Sequence, residues 1–224
     1  QPRRQVELRV SSKHLSLASE VFRNSRESRS NGDESIMTIS FPCDDLDAMR
    51  ILLNIIHGLT RRVPRQVEVK LFAQVVILID KYEFHEVAEV FTDMWFDSLR
   101  ASILQDHPQD MACLISICWV LKKSSEYRSL TKKAIIEITG LENVGVRIPQ
   151  WIDGEIQSRR QAILGKLLMT FSKLLDRYHG SQRLCHQQTN CDPLALGKLI
   201  RCLQFLEIYP IPEPSAIKSS LQYL

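Results

Sequence analysis

The chain has no apolar run long enough to cross a bilayer: its longest, residues 111–121, falls well short of the roughly 20 residues a spanning helix needs. Behind Arg3 and Arg4 there is no apolar core of the kind that makes a secretion signal. Together these absences predict an intracellular protein, of cytoplasm or nucleus. Only 8 glycines and 9 prolines are spread over 224 residues, which excludes a long low-complexity chain. Charge of one sign is also lacking. The 29 basic and 26 acidic residues leave a net charge of +3 with no long run of either, so neither a nucleic acid nor a membrane surface is an expected partner. The six cysteines, Cys43, Cys113, Cys118, Cys185, Cys191 and Cys202, lie far apart and largely within apolar helical patterns. A reduced cysteine there behaves as a small hydrophobe, and no disulfide scaffold is expected.

What is present is mostly helical periodicity. Val6, Leu8 and Val10 alternate with Glu7 and Arg9, the period of two that predicts a half-buried strand. Leu15, Ala18 and Phe22 then take up helical spacing, fitting two short helices or one bent one, with a serine to cap the first turn. Residues 23–35 are polar and read as a loop, and residues 36–41 predict a second strand. After Pro42, Cys43, Asp44 and Asp45, the residues Met49, Leu52, Leu53 and Ile56 share one helical face, and Gly58 stands where the helix stops. Residues 67–81 and 84–99 repeat the pattern; beyond Pro108, helices are predicted over 111–122, 125–139, 151–179 and 193–208, with a loop at 140–149.

In this order the first hundred residues resemble a BTB/POZ domain. Residues 6–15, with Ala18, Ser19 and Phe22, resemble that family's strand, helix opening and Ser-x-x-Phe. Ile55, Ile56, His57 and Gly58 resemble the end of its next helix, and Lys81, Tyr82 and Phe84 its step between the last two helices. The longer chain is similar to fungal BTB-domain proteins of unassigned role, through residues 128–132 and 148–151. The resemblance implies an α+β, mostly helical fold: a BTB/POZ-like helical cluster with a small sheet over 1–104, then an all-helical region over 105–224. The family's first strand is absent ahead of Val6, which predicts missing upstream residues and an open strand edge. Ser11, Ser12 and Ala18 replace the charged residues of transcription-factor members, and Ile51 stands where cullin-binding members tend to carry an acid.

Residues that offer chemistry have plainer readings beside them. Gly140 and Gly145 have phosphate-loop spacing, but Val146 and Arg147 stand where Lys and Ser or Thr are required. Cys185, His186, Cys191, Cys202 and His179 include zinc-type donors without paired spacing. With Cys202 in register with Leu199 and Leu206, they read as separate structural thiols. His14, His57 and His85 read as helix-end or surface histidines, and Trp95, Trp119, Trp151, Phe91 and Phe171 as packing. Arg61, Arg62 and Arg65 read as a solvated loop.

The resulting expectation is a non-enzymatic protein-interaction scaffold that associates with itself or another protein. The residues expected at that interface are Val6, Leu8, Val10, Leu15 and Phe22. No catalytic residue, cofactor, metal or small-molecule substrate is expected. The alternatives are a substrate adaptor of a cullin-type ubiquitin ligase and an enzyme with a non-obvious site.

Overall fold

The computed structural model describes residues 6–27, 38–103, 110–137, 150–186 and 190–223. Those up to Arg128 form one compact unit and those from Ser129 onward a second. The division falls within one helix, and the region of the first unit reaches beyond residue 104.

The first unit holds α1 (Ser12–Ala18), α2 (Glu20–Glu27), α3 (Leu46–Ile56), α4 (Val69–Tyr82), α5 (His85–Ile103), α6 (Met111–Val120) and the start of α7 (Ser124–Glu137). Its centre is α4, which packs against α2, α3, α5 and α6. Phe72, Ala73, Val75, Val76, Leu78 and Ile79 make that helix apolar on more than one side, as a helix enclosed by four others must be. Asp45 caps α3 by accepting from the Ala48 N–H at 2.9 Å. Gly58, at φ +69, closes the same helix: its N–H donates to Ile55 O at 3.0 Å and the Leu59 N–H to Asn54 O at 2.8 Å, the paired bonds of a left-handed helix end. Almost every side chain of α6 is buried, Trp119 excepted. Trp95 of α5 is fully buried, stands edge-on to Phe72 and donates its indole N–H to Pro64 O at 2.9 Å.

The expected small sheet is not found among the described residues. The described residues hold no strand, so the α+β reading gives way to an all-helical one. Thr38 to Phe41 do alternate in burial, with Ile39 and Phe41 half-buried and Thr38 and Ser40 exposed. Phe41 spends its covered face on Tyr82, edge-on at 5.7 Å, rather than on a neighbouring strand. Alternation thus reports one-sided cover, and a strand additionally needs a backbone partner. Residues 6–10 are exposed and irregular. Ile36 and Met37 lie outside the described residues. Part of the expected 23–35 loop is helical, because α2 continues to Glu27 under a cap in which Ser19 Oγ accepts from the Phe22 N–H at 3.3 Å.

The second unit holds the rest of α7, α8 (Gln150–His179), α9 (Cys191–Phe205) and two 3-10 turns, Pro214–Ala216 and Leu221–Tyr223. Ile152, Ile156, Arg160, Leu164 and Leu168 recur every fourth residue and are buried. At Leu164 and Leu168 the stripe enters a core with Leu175, Leu203, Ile208 and Ile217. Arg160 is 2% exposed. Its guanidinium donates to Ile135 O at 3.1 Å and to Ser219 O, so α7 and the C-terminal segment are tied to α8 through one cation. Burial lowers the affinity of that guanidinium for its proton. The expected loop at 140–149 and its glycine pair lie outside the described residues.

Candidate functional site

The expected interface residues separate into two kinds. Val6, Leu8 and Val10 are 37%, 40% and 40% exposed, while Leu15 and Phe22 are 7% and 6% exposed. Leu15 and Phe22 therefore belong to the core. Phe22 stacks on Phe84 at 5.7 Å and leans on Tyr82 at 5.2 Å.

The segment carrying Val6, Leu8 and Val10 is held at its end by a side chain. The Ser11 N–H donates to His57 Nε2 at 3.0 Å. Because Nε2 accepts, the ring proton sits on Nδ1, which donates to Leu53 O at 2.8 Å. His14 stacks on the same ring at 5.1 Å. His14 and His57, read from the sequence as helix-end or surface histidines, are thus a stacked pair at the junction of α1 and α3. His85, by contrast, lies 3.9 Å from Asp80 at the start of α5.

A second polar cluster fixes the turn before α3 to the end of α4. Asp44 Oδ1 accepts from Lys81 Nζ at 2.6 Å, and Asp44 Oδ2 accepts from the Tyr82 hydroxyl. The carboxylate is almost fully covered, whereas Lys81 is half exposed. Its hydrogen bond to Asp44 raises the Lys81 ammonium above its usual range. Burial, followed by the Asp44 bond, raises Tyr82. The Lys-Tyr step thus has a structural task here, and Asp44 was the partner that sequence spacing did not reveal.

The remaining donor groups give no metal centre: among the described residues no three His, Cys, Asp or Glu side chains converge to hold an ion. All six cysteines are free thiols. Cys113 and Cys118 are buried in α6, and burial pushes their thiols up to about 11 and about 12. Cys202 is exposed, not buried in register with Leu199 and Leu206, because Leu203 takes the inward position. Trp119 and Trp151 are likewise 43% and 52% exposed, against the expectation of packing, while Trp95 is wholly buried. An open cavity of about 270 Å³ lies where α8 gives way to α9, lined by Arg177, Tyr178, Arg183, Asp192 and Leu196. Its carboxylate is engaged: Asp192 accepts from the Leu184 N–H at 2.8 Å and the Cys185 N–H at 3.2 Å. No described helix is long and apolar enough to cross a membrane. No family model, curated protein or solved structure matches the chain.

Proposed function

We propose that this chain is a protein-interaction scaffold, BTB/POZ-like in its first unit, that associates with itself or another protein and catalyses no reaction. The observation that carries the reading is the apolar row Val6, Leu8 and Val10, each more than a third exposed, on a segment held by the Ser11–His57 hydrogen bond. Apolar side chains held at an ordered surface are suited to burial against another protein.

Magnitudes set the extent of that surface. Full burial of one such side chain is worth roughly 1.5 to 3 kcal/mol, so the exposed two-fifths of three contribute roughly 2 to 4 kcal/mol. A complex of even millimolar dissociation constant needs about 4 kcal/mol. The interface therefore extends beyond these three side chains, and Leu17 of α1, 80% exposed, is a further apolar group of the same unit. Leu15 and Phe22 are buried and belong to the core of the same unit. Ile51 is 7% exposed and offers a cullin no contact, which favours the scaffold over the ligase adaptor. The free thiols suit a reducing compartment, cytoplasm or nucleus.

The test is co-expression of two differently tagged copies in the source cells, with capture through one tag and identification of everything that accompanies it. Recovery of the second copy, or of another protein in fixed proportion, is the expected result. Capture of the bait alone overturns the proposal.

A further inference from the structure

We propose that Cys185 and Cys191 form a dithiol that closes into an intrachain disulfide under mild oxidation, a reversible modification of these two side chains. The placement rests on backbone geometry. Asp192, in the first turn of α9, accepts from the Leu184 and Cys185 N–H groups at 2.8 and 3.2 Å. Cys185 is thereby clamped against the residue that follows Cys191. The two thiols hydrogen-bond to one another, and both are only partly covered, within reach of small oxidants. Closing an S–S bond of about 2 Å from thiols already in contact needs a short shift rather than a rearrangement.

The other cysteines are differently placed. Cys113 and Cys118 are buried in one helix, and Cys43 and Cys202 are exposed. Among the described residues no three His, Cys, Asp or Glu side chains converge at the pair. Exposed, strained or labile pairs are the ones that switch with the redox state of the compartment.

The oxidant is a hydroperoxide. The Cys191 thiol holds its proton more tightly than a free cysteine, first through its hydrogen bond to Cys185 and further through the Asp192 carboxylate. In the proposed reaction Cys185 supplies the attacking thiolate. It attacks one peroxide oxygen, the O–O bond breaks, and with hydrogen peroxide the departing hydroxide takes up a proton as water. The Cys191 sulfur then attacks the resulting sulfenic sulfur, the S–S bond forms, and a second water leaves with the Cys191 proton. Two thiols and one peroxide give one disulfide and two waters.

The experiment uses the full chain treated with hydrogen peroxide, quenched, labelled with N-ethylmaleimide and digested with trypsin. Cleavage after Arg183 and Lys198 leaves both cysteines in one peptide, residues 184–198. The expected product is that peptide, two hydrogens lighter and without label, regaining two labels after dithiothreitol, while Cys43 and Cys202 label throughout. In a Cys191→Ser chain, Cys185 should instead accumulate as a sulfenic acid captured by dimedone. Retention of both labels after peroxide, or disulfides that join separate chains through these residues, overturns the proposal.

Discussion

Tyr82 donates its hydroxyl hydrogen to Asp44 Oδ2, joining the end of α4 to the turn before α3 across 38 residues of sequence. A hydrogen bond to a covered carboxylate is worth about 1.5 to 3 kcal/mol, and the unpartnered oxygen left behind adds to the loss. Tyr82→Phe keeps the ring on Phe22 and Phe84 and removes only this bond. We expect it to destabilise the first unit by ~1–3 kcal/mol in urea denaturation, and more than Lys81→Met, whose ammonium is half in solvent.

Leu52 is fully buried on α3. Leu52→Ala should cost about 2 to 5 kcal/mol, through lost transfer energy and the cavity left behind. Arg61 and Arg62 are exposed on the short 3-10 turn after α3. The double change to alanine should stay within about 0.5 kcal/mol, with a coincident denaturation midpoint as the check.

Cys113 and Cys118 make stability fall on the alkaline side. Their folded thiols are pushed up to about 11 and about 12, above the ordinary value near 9. Below that ordinary value both states hold the proton and the full contribution is present. Above it the unfolded chain releases protons that the folded chain retains. Each thiol then lowers stability by about 1.4 kcal/mol per pH unit until its folded value is passed. Tyr82 and Lys81, both raised, add in the same direction above about pH 10. Urea midpoints should therefore decline from about pH 9 upward, and less steeply in a Cys118→Ala chain; a flat profile over that range contradicts the assignment.

Lys122 ends α6 in the left-handed region, at φ 56, and is exposed. A side chain there costs roughly 1 to 2 kcal/mol, part of which glycine returns as backbone entropy lost on folding. Lys122→Gly should raise stability by about 0.5 kcal/mol, read as a higher melting temperature.

The helices were legible where sequence carries its own punctuation. Asp45 and Gly58 bracket α3 because a side-chain acceptor and a left-handed φ are local requirements. The every-fourth-residue stripe from Ile152 to Leu168 marks α8 in the same way. The strands were misread because Val6, Leu8 and Val10 alternate without a backbone strand partner among the described residues, and alternation alone cannot say whether one exists. Ser11 meets His57 46 residues away, and Asp44 meets Lys81 37 residues away. No periodicity reports contacts of that range, so the imidazole that holds the candidate surface was not visible beforehand. The nearness of Cys185 to Cys191 depends on the Asp192 carboxylate, whose acceptors could be matched to their donors only in three dimensions.

We propose that the exposed row Val6, Leu8 and Val10 binds protein. The most direct measurement compares, under identical capture from the source cells, the wild-type chain with a Val6→Asp, Leu8→Asp, Val10→Asp variant of unchanged melting temperature. Wild type should retain a second copy or another protein in fixed proportion, and the variant should lose it. The same proteins recovered in the same amounts by both, or by neither, would contradict it.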